Sequence, residues 1–213
     1  MAYDATEELR AAHDVLAEIY AERLVGHYES MPVEQAVLGV WASLVRPGGT
    51  VGDVGCGTGR LAPHLAAFGL TVRGVDLSPE MVRVARRDQP GLDVQLADLR
   101  DLPCGDGELD GAVAWYSLMY LPPEDRAGAF AELARVLRPG APLAMAWKQG
   151  DDAPRRGGSS FDVGFDIWWH SRAEVAARLA AAGFEVRFWG EKPADPDEQQ
   201  DQGYVVAVAP WVP

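Results

Sequence analysis

The chain has 213 residues, 48% of them hydrophobic, and a formal net charge of −13. That length suffices for one domain with a sizeable core. The acidity argues against a nucleic-acid phosphate backbone or an anionic membrane as the main partner, and two cysteines, Cys56 and Cys104, outside any CxxC or Cys/His cluster, argue against a structural zinc site.

The amino terminus, MAYDATEELR, is charged and lacks the apolar core of a signal peptide. No apolar run approaches the ~18 residues of a membrane span. The expectation is a cytoplasmic protein, monomeric or homodimeric, without nucleic-acid or membrane partners and with no bound metal. Residues 5–28 carry a helical stripe of Leu9, His13, Leu16, Ile19, Tyr20 and Leu24. This segment precedes the first strand, so residues 1–32 read as a helical cap or lid on a single domain spanning 1–213. A second helix over 33–45 buries Val33, Val37, Val40, Trp41 and Leu44, and Pro47, Gly48 and Gly49 end it.

The stretch that organises the rest is Val51–Arg60, VGDVGCGTGR. A strand over 50–54 runs into a turn of alternating glycines, Gly55, Gly57 and Gly59, and a helix over 60–67 with Leu61, Leu65 and Ala66 inward. Glycines let the chain turn sharply and a ligand approach the backbone. Such a turn at the carboxyl end of a strand is where open α/β sheets bind nucleotide-like ligands. A second strand, 71–75, ends at Asp76. Ser78 caps the next helix, whose inward face is Met81, Val82 and Ala85 and whose wet face is Arg83, Arg86 and Arg87. A third strand over 92–96 leads to Asp98.

The apolar run 112–116 fits a central parallel strand buried on both faces. A helix from Pro122 or Pro123 to Leu137 turns Ala127, Phe130, Leu133 and Leu137 inward, and a fifth strand covers 142–147. Residues 149–163 form a polar, glycine-rich insertion with the composition of a disordered stretch. An extended FDIWWH segment, 165–170, precedes a helix capped by Ser171. Strands over 184–189 and 204–209, joined by an acidic loop, give an antiparallel hairpin at a sheet edge. The sum is an α/β fold: a doubly wound, seven-stranded, mostly parallel sheet with a C-terminal antiparallel hairpin.

Asp76 lies 17 residues beyond Gly59. In such folds an acid at this place accepts the two ribose hydroxyls of an adenosine. Asp98 can accept the adenine amino group, with Leu99 against the ring. Asp53, inside the first strand, needs polar partners if buried; it can hold the turn's amides or reach a ligand amine through water.

These motifs, in order and correctly spaced, resemble the class I S-adenosylmethionine-dependent methyltransferases. The family's first motif is matched by Val51–Gly59, its acid after the second strand by Asp76, its adenine loop by Asp98 and Leu99, its fourth-strand region by Asp110–Tyr120, and its fifth-strand lead-in by Val136–Met145. Within the family the chain is most similar to small actinobacterial-type enzymes acting on small molecules. One departure is Gly52, where the family carries a larger apolar residue. The resemblance implies S-adenosyl-L-methionine as cofactor, S-adenosyl-L-homocysteine as product, and a Rossmann-like methyltransferase fold. It implies cofactor contacts from Asp53, Gly55, Cys56, Gly57, Gly59, Asp76, Leu77, Met81, Asp98, Leu99, Trp115, Tyr116 and Ser117.

The expected function is methyl transfer to a small-molecule acceptor by in-line displacement, mainly through binding and alignment. Alternatives are a non-catalytic S-adenosylmethionine-binding protein and a methyltransferase acting on a protein. A nicotinamide dehydrogenase is disfavoured because the turn is GxGxG and no Tyr-x-x-x-Lys pair follows. Tyr20 and Tyr120 are candidate acceptor contacts, Tyr20 from the lid. Trp147, Trp168 and Trp169 form a candidate aromatic wall for a planar or cationic acceptor, although adjacent strand residues point opposite ways. His170 and Tyr20 are the candidate catalytic residues, His170 because its reference pKa is near 6.5. Asp151 and Asp152 read as a solvated loop and not as metal ligands.

Overall fold

The run before the glycine turn is β1 (Thr50–Val54), followed by β2 (Thr71–Asp76), β3 (Asp93–Leu96), β4 (Gly111–Trp115), β5 (Pro142–Lys148), β6 (Pro154–Gly157), β7 (Phe165–Trp168), β8 (Glu185–Lys192) and β9 (Gln202–Val208). The α-helices are α1 (Ala5–Arg23), α2 (Pro32–Ala42), α3 (Ala62–Ala66), α4 (Pro79–Asp88), α5 (Pro123–Val136) and α6 (Arg172–Ala181). The structure, a computed structural model, describes residues 5–24, 26–196 and 198–211.

Seven strands form one sheet in the order β3-β2-β1-β4-β5-β9-β8. The first five are parallel, and β9 is antiparallel to both of its neighbours. The strand order reverses between β1 and β4. That switch point opens a crevice beyond their carboxyl ends, where doubly wound sheets bind ligands. The final hairpin places its last strand inside the sheet, between β5 and β8. Composition explains why: β9 is buried along its length, whereas β8 carries Glu185, Arg187, Glu191 and Lys192 and tolerates the solvated edge.

Both sheet faces are covered. Along β5, Leu143, Met145 and Trp147 join Phe130, Leu133, Val136, Val175 and Leu179 of α5 and α6. The alternate residues Ala144 and Ala146 join Val37, Leu38, Trp41, Leu61 and Leu65 on the opposite face. Trp41 Nε1 also donates to the Pro142 carbonyl at 3.0 Å. The space a larger residue would take at Gly52 is filled by Leu109, whose Cδ1 would lie 2.9 Å from a Cβ there.

Four expected inward residues are exposed, Val40 and Leu44 of the expected second helix being two of them. Ala66 and Ala127 face solvent, and the inward stripe of α5 runs through Ala129, Phe130, Leu133 and Val136. The insertion after β5 is ordered: β6 and β7 pair antiparallel, with Gly157 opposite Phe165. Phe165 anchors this hairpin by packing with Ala12, Leu16, Ala17, Met81 and Val84.

Helix α1 lies on α4 and β7. Asp14 Oδ1 accepts from Ser78 Oγ at 2.6 Å and from the Glu80 amide at 3.2 Å, while Ser78 Oγ accepts from the Met81 amide at 3.0 Å. The start of α4 is thus capped once by its own serine and again by a carboxylate from α1, where the helix dipole favours negative charge. The expected extension of the first helix to residue 28 stops at Arg23; Tyr28–Ser30 form a separate 3-10 turn. Among the described residues no helix is long and apolar enough to cross a membrane.

Candidate active site

The glycine turn is held by the end of β2. The amides of Gly55 and Cys56 donate to the Val75 carbonyl at 2.8 and 2.9 Å, and the Gly57 amide donates to Asp76 Oδ2 at 2.7 Å. Asp76 Oδ1 accepts from the Ser78 amide at 3.0 Å. One carboxylate therefore ties the turn to the start of α4 and keeps further lone pairs for a ligand. Gly55 has a φ of 75°, and a Cβ there would stand 2.4 Å from the Ser117 Cβ, so the turn and the end of β4 approach as only glycine allows. Gly59, expected to touch the cofactor, lies behind the turn instead, packed against Leu92 and Ala85.

A cavity of about 190 Å³ opens over this turn. Its floor is Asp53, Gly55, Cys56, Gly57 and Thr58; one wall is Asp76, Leu77 and Met81, and the next is Asp98 and Leu99. Trp115, Tyr116 and Ser117 come from the end of β4, and Tyr120 follows them. Helix α1 supplies the roof through Leu9, Arg10, His13 and Tyr20. With the exception of Gly59, the structure brings together every residue the family motif implied.

Asp53 is buried and its Oδ2 has no hydrogen-bond partner. Burial pushes its carboxyl up to about 7, against the pull of Arg60. Arg60 also lines the cavity, and its guanidinium carries no hydrogen bond or ion pair among the described residues. Ser117 Oγ is likewise buried and unpartnered. Burial acts to raise Asp98, but the hydrogen bonds and charge of Arg100 outweigh it and hold the carboxyl below its ordinary range. Arg100 also pairs with Asp125 at 2.5 Å and donates to Thr6 Oγ1 at 3.2 Å, so the adenine-side acid is linked to both α5 and α1. Burial raises Asp76 and pushes the Cys56 thiol well up.

Sequence reasoning passed over His13 and Arg60. His13 Nδ1 donates to the Leu9 carbonyl at 2.9 Å, burial lowers its pKa, and its ring packs edge-on to Tyr120 at 4.9 Å. Its signal was in the stripe of the first helix, where a histidine and a tyrosine recur at core spacing. Arg60 directly follows the last glycine of the turn.

The expected aromatic wall and base lie elsewhere. His170 is 3% exposed and does not line the cavity; its Nε2 donates to the Leu118 carbonyl at 3.4 Å, and burial and Arg126 lower its pKa to about 4. Trp147 is core, its Nε1 donating to the His170 carbonyl at 3.1 Å. Trp168 packs under Arg126, and Trp169 lies 4.1 Å from the Arg155 guanidinium. Trp147 thus belongs to the α5–α6 core, Trp168 is the last residue of β7, and His170 bridges Gln149 just after β5. Asp151 pairs with Arg155 and Asp152 accepts from the Ser171 amide. Among the described residues no three metal-ligating side chains gather.

The unpartnered groups fit S-adenosylmethionine. Asp53 Oδ2 offers an acceptor to an ammonium, Arg60 a cation to a carboxylate, and Asp76 acceptors to a ribose, between apolar walls at Leu77, Met81 and Leu99.

Comparison with known proteins agrees. Residues 51–140 match a family model described as a methyltransferase domain. O-methyltransferase cnsE of Penicillium expansum is 44% identical over 101 residues, covering 44% of this chain and 36% of that protein. An uncharacterised methyltransferase of Mycobacterium tuberculosis is 38% identical over 103 residues, covering 47% of this chain and 40% of that protein. The chain thus spans well under two thirds of these relatives' length. Magnesium protoporphyrin IX methyltransferase of Synechocystis, solved with bound S-adenosylmethionine, superposes with a TM-score of 0.74 at 20% identity, covering 98% of each chain. The chain has the class I S-adenosylmethionine-dependent methyltransferase fold, related to small-molecule O-methyltransferases and to actinobacterial relatives.

Proposed function

We propose that the protein transfers a methyl group from S-adenosylmethionine to a hydroxyl of a small molecule. The observation that carries the reading is the roofed cavity in which Asp53, Asp76 and Arg60 present unused polar capacity at the glycine turn. The O-methyltransferase relatives support oxygen as the target. When bound, the cofactor supplies a methyl group already activated on a sulfonium.

The chain's own residues do the rest. Asp76 accepts the ribose hydroxyls while keeping the turn closed. Asp98 and Leu99 hold the adenine. Asp53 and Arg60 take the ammonium and carboxylate of the amino-acid end. Trp115 and Tyr116 wall the reacting centre, and Tyr20 and Tyr120 close it under α1, which excludes water and fixes the line of attack.

Calorimetric titration with S-adenosylmethionine and S-adenosylhomocysteine tests this reading. Wild type binds both saturably, and Asp76→Ala, which removes charge-assisted hydrogen bonds, weakens both by on the order of 100-fold. A screen of phenols and enols with methyl-labelled donor then yields a labelled product. Failure of the folded wild type to bind either ligand sinks the proposal.

A further inference from the structure

One buried carboxylate has no part in holding the cofactor. Glu34, in the first turn of α2, is 1% exposed, and among the described residues no ion pair holds it. Its Oε1 accepts a hydrogen bond from Tyr204 Oη of β9. Tyr204 is fully buried, and its Oη lies 3.4 Å from Tyr116 Oη. Tyr116 follows β4, lines the cavity beside Ser117, and has a left-handed φ of 57°. That backbone conformation is strained for a tyrosine. It is held by the Tyr116 amide, which donates to the Ala146 carbonyl at 2.9 Å. A line of oxygens thus runs from the cavity wall, along the α2 face of the sheet, to an acid in α2. A buried carboxylate without a counterion is costly, and strain concentrated beside a cleft marks a working residue.

We propose that Tyr116, Tyr204 and Glu34 form the proton outlet of the cavity, and that the acceptor it serves is a phenol or enol whose hydroxyl proton must leave as the methyl arrives. The inference rests on the methyltransferase reading. In the step, the acceptor oxygen forms a bond to the methyl carbon, and the carbon–sulfur bond breaks with its electron pair kept by sulfur. The acceptor proton passes to Tyr116 Oη, Tyr116 passes its own to Tyr204 Oη, and Tyr204 passes its own to the Glu34 carboxylate. The positive charge lost at sulfur reappears as the proton that neutralises Glu34, so the protein's interior keeps its net charge. Tyr116 is the catalytic residue; Tyr204 and Glu34 act through it and position it.

The surroundings keep the phenols protonated, as handing a proton on requires. Burial raises both Tyr116 and Tyr204 well above the ordinary phenol range, and Glu34 adds to this. Tyr28 faces Glu34 from the neighbouring turn, Glu198 and Lys192 face Tyr116 from the β8–β9 side, and Arg60 faces it from the glycine turn.

The test uses the full chain and the near-isosteric variants Glu34→Gln and Tyr204→Phe, with circular dichroism confirming the fold. The first readout needs no acceptor: the infrared difference between wild type and Glu34→Gln at neutral pH shows the band of an ionised carboxylate, as a proton acceptor requires, and the band of a protonated carboxyl overturns the proposal. The second readout is turnover of phenol acceptors against pH. At neutral pH both variants lose kcat by ~100-fold with KM and cofactor affinity unchanged, and the deficit closes as pH nears the acceptor's own pKa. A loss equal at every pH, or one in cofactor affinity, marks a structural role and overturns the proposal. Wild type that fails to bind cofactor sinks the methyltransferase reading instead, a result the calorimetry separates from these.

Discussion

Asp53 carries a cost at the floor of the cleft. Its folded pKa of about 7 stands above the ordinary carboxylate value because burial penalises its charge. The folded state therefore holds this proton more tightly than the unfolded chain, and stability falls as pH rises from about 4 through 7. The penalty above that window is up to about 4 kcal/mol. Asp53→Asn is expected to raise the denaturant midpoint at pH 8, to change it little at pH 4, and to weaken cofactor binding; equal midpoint shifts at both pH values would contradict this account. His170 has the opposite sign. Its folded pKa of about 4 lies below the unfolded value near 6.5, so its contribution is whole above pH 6.5 and is lost as pH falls toward 4. His170→Gln is expected to flatten this acid limb of the stability profile and to leave cofactor affinity unchanged, since the ring lies outside the cleft. A cofactor-binding defect in that variant would return His170 to the site.

At the scale of elements, α1 is a docked helix that roofs the cavity. Its attachment runs through Ala12, Leu16 and Ala17 against Met81 and Val84, and through Asp14 at the start of α4. The outer pairs of Glu18 with Arg83 and Arg87 are exposed and add little. Asp14→Ala is expected to cost about 1 kcal/mol and to speed amide hydrogen exchange in α1 and in the first turn of α4, with β4 and β5 unaffected. Uniform acceleration throughout the chain would mean that α1 is not a separable unit. The β6–β7 hairpin shows how an element forms against its composition. Its polar, glycine-rich lead-in reads as disordered, yet Phe165 gains a buried seat on α1 and α4 that the local sequence does not reveal. The same hairpin carries Trp168 at the end of β7 and sets Arg155 over Trp169, two residues that sequence reasoning had assigned to the cleft.

At the scale of the molecule, cofactor binding and folding are linked. A ligand that binds only the folded chain, supplied at ~100 times its Kd, adds about 2.7 kcal/mol, or roughly 5–10 °C in Tm for a chain of this size. S-adenosylhomocysteine is expected to give that shift in wild type and much less in Asp76→Ala, measured by differential scanning calorimetry. The seven-stranded α/β architecture was legible because most of its strands and helices announce themselves locally. Apolar runs mark the strands buried on both faces, three- and four-residue spacing marks the helices, and Ser78 and Ser171 mark helix starts. The glycine turn and Asp76 are equally local, being set by backbone conformation and strand ends. Thus the sequence by itself determined the fold class, the cofactor and the residues of the glycine turn and strand ends that line the cavity. Only the tertiary structure decided the rest: the unpartnered state of Asp53, the entry of His13 and Arg60 into the cleft, the exclusion of His170 and the tryptophans, and the line from Tyr116 to Glu34. The physical reason is separation along the chain. Tyr204 meets Tyr116 across 88 residues and Glu34 across 170, and no local periodicity encodes a meeting that sheet order alone brings about.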